Sequence, residues 1–217
     1  MADYKTLRTT MVDTQVRPHD VTRFPIIEAM LSVPREVFVP DGMRDLAYVG
    51  GTVPLGGGRH LLDPRTIGMM LEVLDINRSH LVLEIGPGLG YTTALLARLA
   101  EAVVAVEGDE ARAAEAEALL LGQGVDNAAM LPGDMTAGNP RNGPYDRIAI
   151  FGGVETVPAE IEAQLKDGGL IAAVFMDGDL GEVRVGHKSG GRVAWRMEFN
   201  ASAPVLPGFE RTASFVF

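Results

Sequence analysis

The sequence predicts an α/β fold: a seven-stranded, mostly parallel sheet with helices on both faces and an N-terminal helical cap. Two observations support this prediction. From residue 81 onward short apolar runs alternate with helical runs, which is typical of parallel strands joined by right-handed crossovers. The first apolar run, at 81–85, is too short for a helix and leads through closely spaced glycines into a helical run at 92–99. We interpret this stretch as strand, tight turn and helix.

The first part of the chain, residues 1–63, is predicted to form the cap and a loop. Apolar residues at near-helical spacing predict a helix over 21–31, which Pro34 ends. Residues 50–64 contain five glycines and are predicted to be a long loop without regular structure. Because the next helix feeds the strand before the glycine turn, we expect this loop to lie across a ligand bound at that turn.

Residues 64–217 are predicted to form the core, and residues 1–217 together a single domain, because this length suits one domain. Helices are predicted at 66–74, 92–99, 109–121 and 158–165. Strands are predicted at 81–85, 102–106, 128–131, 145–151, 169–175, 192–199 and 211–217. The order of the last two strands stays open.

Composition narrows the classes of function. The chain carries 19 Lys and Arg against 29 Asp and Glu, a net charge of −10, which disfavours binding to a nucleic-acid backbone. The absence of cysteine excludes disulfides and thiolate metal sites, and we predict no metal site. The first 25 residues lack an apolar signal region, and no apolar run reaches the ~18 residues of a membrane span. We therefore expect a cytoplasmic protein with no membrane partner.

Acidic residues follow three successive predicted strands. Glu84 stands in the glycine turn, Glu107 ends the next strand about 20 residues later, and Asp134 follows the third strand. An acid in the turn would repel a pyrophosphate but would attract an ammonium group. A carboxylate at the position of Glu107 suits both hydroxyls of a ribose. The three acids together predict a site for a positively charged nucleoside without phosphate.

The glycines of the turn complete this site. Their pattern, Gly86, Gly88 and Gly90, departs from the dinucleotide fingerprint in its spacing. Glycines there allow the backbone to approach a ligand closely and leave the N–H groups at the start of the helix facing outward. Met135, next to Asp134, offers an apolar edge to an adenine ring.

These motifs resemble those of the class I S-adenosylmethionine-dependent methyltransferases. Four flanking segments, at 33–40 (Val-Pro-Arg-Glu-Val-Phe-Val-Pro), 47–48, 53–56 and 164–169, make the chain similar to the protein-L-isoaspartate (D-aspartate) O-methyltransferases over roughly residues 15–175. The resemblance implies a Rossmann-like fold, S-adenosylmethionine as cofactor, and a protein or peptide substrate with an isoaspartyl residue. It also implies that the cap is a lid over the substrate cleft, although simple packing on the sheet edge remains open.

The chain departs from this family in the predicted substrate loop. Where the family has Thr-Ile-Ser after a glutamine, His60 takes the threonine position and Leu62 the serine position, after Arg59. Arg59 could pair with the acceptor carboxylate, or protonated His60 could donate to it. Alternatively, Arg59 is solvated and His60 packs on the cofactor. Arg59, His60 and Leu62 are the candidate catalytic residues of this loop.

Three functions compete on the sequence. The first is isoaspartyl methylation, and a methyltransferase with another protein or small-molecule acceptor competes with it because of Leu62. The second is a methyltransferase fold that has lost catalysis and serves as a cofactor-binding or interaction module. A nicotinamide oxidoreductase is disfavoured by Tyr91 and Glu84 in the turn. The sequence leaves the oligomeric state open.

Overall fold

The computed structural model describes residues 3–211. Its strands in chain order are β1 (Val53–Gly56), β2 (Arg59–Leu61), β3 (Leu81–Ile85), β4 (Ala102–Glu107), β5 (Ala128–Pro132), β6 (Tyr145–Val154), β7 (Leu165–Asp177), β8 (Leu180–Ser189) and β9 (Arg192–Asn200). Its α-helices are α1 (Tyr4–Met11), α2 (Phe24–Ser32), α3 (Pro64–Leu74), α4 (Tyr91–Leu99), α5 (Glu110–Gly122) and α6 (Ala159–Ala163). Within residues 3–211 no helix is both long enough and apolar enough to cross a membrane.

A seven-stranded sheet in the order β5-β4-β3-β6-β7-β8-β9 forms the centre of the fold, and the prediction of such a sheet with helices is confirmed. The five strands from β5 to β7 pair in parallel, and β8 and β9 pair antiparallel. In chain order the sheet grows outward from β3 to β5, and β6 then pairs with β3 on its other side. Such a reversal of strand order opens a crevice at the carboxyl ends of the central strands, where ligands bind in this class of sheet.

The last strands differ from the prediction. A strand over Leu180–Ser189, β8, was missed, and the predicted strand at 192–199 is the edge strand β9. The predicted strand at 211–217 lies almost wholly outside the described residues. β8 carries only a weak apolar alternation, with Val183 and Val185 buried among polar neighbours. It is held mainly by its ladders to β7 and β9, which local sequence does not reveal.

The glycine-rich segment 50–64 is not the irregular loop that its composition predicts. It contains an antiparallel hairpin of β1 and β2, which we call the β1–β2 hairpin. The glycines form its tip, where Gly56, Gly57 and Gly58 all have positive φ. The flanking residues alternate between buried and more exposed, the period of a strand. Here the glycines mark a tight turn and not the absence of regular structure.

The helices agree with the prediction more closely. α3 begins at Pro64, and its N-cap Asp63 accepts a hydrogen bond from the Thr66 backbone N–H at 2.9 Å. The helix predicted at 158–165 is shorter, because Leu165 already pairs with Tyr145 as the first residue of β7. The helix predicted at 21–31 is present as α2, which begins at Phe24 and ends at Ser32.

Buried Arg35 ties the cap to the core. Its side chain is 0% exposed. Its Nε donates to the Ala47 carbonyl and its Nη2 to the Leu62 carbonyl, both at 2.6 Å. The guanidinium carbon also lies 4.9 Å from the centre of the Tyr91 ring at the start of α4. Through Arg35, the segment that leads from the hairpin into α3 is therefore held near the start of α4.

Candidate active site

Glu84 lies near the carboxyl end of β3, the central strand at which the strand order reverses. It is the fourth residue of β3, between β4 and β6, and its side chain is 0% exposed. Oε2 accepts a hydrogen bond from Thr93 Oγ1 at 2.6 Å, whereas Oε1 is buried without a hydrogen-bond partner in the described chain. Burial raises the pKa of this carboxyl to about 7. A buried oxygen without a partner indicates that a ligand donor completes the group.

The glycine turn after β3 lies directly against the β1–β2 hairpin. Gly86 and Gly88 have φ of 73° and 61°, a region that side chains other than glycine rarely adopt. A Cβ on Gly88 would lie 2.6 Å from Leu55 Cδ1 of the hairpin, and one on Gly86 would lie 2.8 Å from Arg59 Nη2. The backbone therefore faces the hairpin directly, and a larger residue at either position would intrude between them. Gly90 precedes α4 as its N-cap.

Glu107 ends β4 beside the turn and is 1% exposed. Its Oε2 accepts from the Gly88 backbone N–H at 3.1 Å and from Arg59 Nη2 at 3.3 Å. Its Oε1 accepts from Arg112 Nη1 at 3.2 Å. The carboxylate is thus buried, paired with two guanidinium groups and oriented toward the glycine turn.

Met135 and Asp134 differ in their surroundings. Met135 is 6% exposed, and its sulfur lies 3.8 Å from Arg59 Nη1, so that it belongs to the same cluster. Asp134 is exposed, and its Oδ1 accepts from the backbone N–H and the hydroxyl of Thr136 at 2.8 and 2.6 Å. These hydrogen bonds lower the pKa of Asp134. Asp134 therefore lies at the surface next to the buried cluster, with a fixed orientation.

The three candidate residues of the substrate loop, Arg59, His60 and Leu62, lie in different surroundings. Arg59 is 5% exposed and points at Glu107, so it is not solvated. His60 lies on the opposite face of β2, is half-buried, and has an Nδ1 without a partner among residues 3–211. Leu62 is 1% exposed, and its side chain packs within the hydrophobic core.

Several residues of the site were missed by sequence reasoning. Arg112 lies in the first turn of α5, five residues after Glu107, and its ion pair depends on how the chain turns from β4 into the helix. Thr93 hydrogen-bonds Glu84 from the start of α4. Leu55 and Leu206 cover the glycine turn, and Leu206 comes from a distant segment that no local pattern connects with it.

The donor set fits the methyl donor that the family resemblance implies. S-adenosylmethionine carries a sulfonium, an ammonium group and a ribose, and the crevice offers an unpartnered carboxylate oxygen, a glycine turn and a second buried carboxylate. Met135 adds an apolar surface beside them. A buried carboxylate accepts hydrogen bonds from hydroxyl groups and is stabilised by a nearby positive charge. The ribose and the ammonium group of this donor are groups of these two kinds.

The chain is similar to known proteins over most of its length. Residues 8–196 match the family model described as Protein-L-isoaspartate(D-aspartate) O-methyltransferase (PCMT). The chain is 38% identical over 162 residues to Protein-L-isoaspartate O-methyltransferase 1 of Rhodopseudomonas palustris. The matched residues make up 75% of this chain and 66% of that relative. It is 37% identical over 169 residues to the enzyme of Syntrophus aciditrophicus, which covers 78% of each chain.

Solved structures show the same fold. One protein-L-isoaspartate O-methyltransferase superposes with a TM-score of 0.79 at 23% identity, over 94% of this chain and 66% of its own. A Plasmodium falciparum protein named as a beta-aspartate methyltransferase, in complex with S-adenosyl-L-homocysteine, superposes with a TM-score of 0.78 at 14% identity, over 95% of this chain and 99% of its own. The chain belongs to the protein-L-isoaspartate (D-aspartate) O-methyltransferase family, whose members are S-adenosylmethionine-dependent methyltransferases acting on damaged aspartyl residues.

Proposed function

We propose that this chain methylates the free carboxylate of isoaspartyl residues in proteins or peptides, with the donor held by the residues of the crevice. The observation that carries the proposal is the pair of buried acids, Glu84 and Glu107, on adjacent parallel strands with the glycine turn between them. Buried carboxylates at the carboxyl ends of adjacent parallel strands suit the binding of a cationic nucleoside.

Each residue of the crevice has a proposed part in donor binding. When bound, the donor supplies an electrophilic methyl group on a sulfonium. Glu84 pairs with its ammonium group, and Glu107 accepts hydrogen bonds from its ribose hydroxyls. Met135 packs on the adenine, and Asp134 at the surface accepts from the polar edge of the same ring. The backbone of Gly86, Gly88 and Gly90 permits close approach.

The acceptor is proposed to bind at the loop 59–63. A carboxylate has a reference pKa of about 4, so it is ionised at neutral pH and needs no general base. The contribution of the protein is then to hold the two reactants in line and to exclude water, and orientation alone supplies roughly 7 to 11 kcal/mol. Leu55 and Leu206, which cover the glycine turn, provide the apolar cover.

A second acceptor class is favoured by the position of Leu62. The family resemblance places a hydroxyl there, whereas Leu62 is buried in the core and its carbonyl is held by Arg35. Leucine at this position has no hydroxyl that could hold an acceptor carboxylate, so another carboxylate-bearing molecule is the second candidate acceptor. Leu62→Ser would put a hydroxyl into the core and is a poor test of this point.

Transfer of labelled methyl groups from S-adenosylmethionine to an isoaspartyl peptide tests the proposal. The matched control is the same peptide with a normal aspartate, and a panel of small carboxylic acids forms the second arm. We expect base-labile label on the isoaspartyl peptide alone. Label on a small acid alone would support the second acceptor class, and no label on any acceptor by a protein that binds the donor would indicate lost catalysis.

A further inference from the structure

Arg59 is a buried cation, and most of its N–H donors lack a strong acceptor. It is 5% exposed, and Nη2 donates to Glu107 Oε2 at 3.3 Å. Nη1 faces the Met135 sulfur at 3.8 Å, a weak acceptor, and Nε has no partner within residues 3–211. Unpaired buried donors cost stability. The guanidinium therefore keeps N–H groups available for another acceptor inside the crevice.

The present partner of Arg59 is also the group that the proposed function assigns to the ribose. Glu107 Oε2 already accepts from the Gly88 N–H, and its Oε1 accepts from Arg112. Ribose hydroxyls on this carboxylate would compete with Arg59 for the inner oxygen. The guanidinium also covers the glycine turn, since Nη2 lies 2.8 Å from the position of a Cβ on Gly86. A ribose on Glu107 would therefore compete with Arg59 for this space and for this oxygen.

A cation displaced from Glu107 within a buried site requires another anion, because an unpaired buried charge is strongly unfavourable. Both ligands of the proposed reaction carry a carboxylate: the amino-acid part of the donor and the acceptor itself. A guanidinium binds a carboxylate through two parallel N–H bonds, which uses the donors that are free in the structure.

We propose that Arg59 binds a ligand carboxylate, and that it becomes available when a ribose takes its place on Glu107. This inference rests on the proposed function and extends it, because donor binding then prepares a carboxylate site. Arg59 stands on β2, one residue after the hairpin tip, and its long side chain changes partners by rotation about its own bonds. The carboxylate comes from one of two sources, the donor or the acceptor.

Calorimetric titrations of Arg59→Gln and of the parent protein with three probes test this inference. The first probe, 5′-methylthioadenosine, has the ribose and no carboxylate. The second, S-adenosylhomocysteine, adds the donor's carboxylate. The third is an isoaspartyl peptide added to protein saturated with S-adenosylhomocysteine. Arg65→Gln removes one positive charge outside the crevice and is the matched control, because Arg65 contacts Asn200 and Phe199 instead.

In Arg59→Gln we expect unchanged or tighter binding of 5′-methylthioadenosine, since no ion pair with Glu107 has to break. We expect about tenfold or greater loss for one carboxylate probe, the size of a lost hydrogen bond to a charged group. Loss for S-adenosylhomocysteine identifies the donor's carboxylate, and loss for the peptide alone identifies the acceptor's. Arg59→Lys, which keeps the charge without the paired N–H groups, should recover part of the loss.

Equal weakening of all three probes in Arg59→Gln would assign Arg59 a purely structural role and overturn the inference. Unchanged binding of all three probes would overturn it as well. Failure of the proposed function gives a different result, because the parent protein itself would then bind neither nucleoside. Thermal unfolding of each variant establishes that the compared proteins are folded.

Discussion

At the scale of single residues, the site depends on keeping a carboxyl where water cannot reach it. Glu84 has one oxygen on Thr93 and one without a partner in the described chain, and burial raises its pKa to about 7. Such a group is costly to the folded protein and useful to a cationic ligand. The same burial therefore acts on both the stability and the affinity of the protein, in opposite directions.

The affinity for S-adenosylhomocysteine should depend on pH through Glu84. Because the ligand's ammonium group favours the ionised carboxylate, affinity should fall as pH drops below about 7, by as much as about tenfold per pH unit. Glu84→Gln should bind more weakly at pH 8 and lose this dependence. Calorimetry across the pH range measures both, and a parallel pH dependence in Glu84→Gln would assign the effect to another group.

Stability should show the opposite effect of the same residue. The folded pKa of about 7 lies above the ordinary value of 4.5, so the folded state binds more protons between these values, and the free energy of unfolding falls as pH rises through this window. Glu84→Gln should therefore gain stability relative to the parent protein from pH 4.5 to pH 7, by an amount on the order of 3 kcal/mol. Urea unfolding at several pH values measures the difference, and a constant difference would contradict the assignment.

At the scale of secondary-structure elements, the β1–β2 hairpin and the glycine turn form two facing surfaces. Leu55 and Arg59 of the hairpin contact the turn at Gly88 and Gly86. Arg112 of α5 adds a hydrogen bond from Nη2 to the Gly56 carbonyl at 3.3 Å. The ligand surface is thus made by elements from both the cap and the core, and its shape depends on how closely the hairpin approaches.

Gly88→Ala tests this contact directly. A Cβ there would lie 2.6 Å from Leu55 Cδ1, and φ is 61°, so we expect both backbone strain and displacement of the hairpin. The control is Gly124→Ala, where φ is 71° and no atom lies within 4 Å, so only strain of about 1 kcal/mol remains.

Both variants should lose thermal stability, but only Gly88→Ala should weaken S-adenosylhomocysteine binding, by about tenfold or more, which corresponds to about 1.4 kcal/mol. Calorimetry and thermal unfolding give the two quantities. Equal affinities for the two variants would show that the approach of the hairpin does not shape the ligand surface.

The elements differ in how far the sequence determines them. Strong local patterns made it possible to predict β3, the glycine turn and α4. The same holds for the position of Glu84 and Glu107 near the ends of their strands. The β1–β2 hairpin was not predicted, because glycine content alone does not separate a tight turn from a loop. The Arg59 to Glu107 pair joins residues far apart in the chain, and no local period reveals it.

At the scale of the whole molecule, one buried arginine joins the cap to helix α4 of the core. Arg35 holds the carbonyls of Ala47 and Leu62 and lies over Tyr91. The motif that contains Arg35 could be recognised from the sequence as typical of the family. The contacts of Arg35 could not be predicted, because they join three segments that are distant in the chain. The cap is therefore part of the same packed structure as the core, which keeps the hairpin in position above the glycine turn.

Arg35→Lys should destabilise the whole protein. Arg35 reaches the two carbonyls from separate nitrogens, Nε and Nη2, whereas the donors of a lysine all lie on one nitrogen, which cannot take both places. Each lost bond from a buried charged group is worth about 1.5 to 3 kcal/mol. The matched control is Arg65→Lys at the surface of α3, where we expect a change of about 0.5 kcal/mol or less. Chemical unfolding measures the free energy of unfolding of the two variants. Similar values for both would contradict the role of Arg35 in joining the cap to the core.

Calorimetric titration with S-adenosylhomocysteine is the most direct measurement of the central claim that buried acids at adjacent strand ends bind the nucleoside. The parent protein should bind it, and Glu107→Gln should weaken binding about tenfold or more, since a hydrogen bond to a charged group is lost. Glu110→Gln, an exposed change in the first turn of α5, should bind like the parent. Equal affinity in Glu107→Gln, or no heat of binding with the parent protein, would contradict the account.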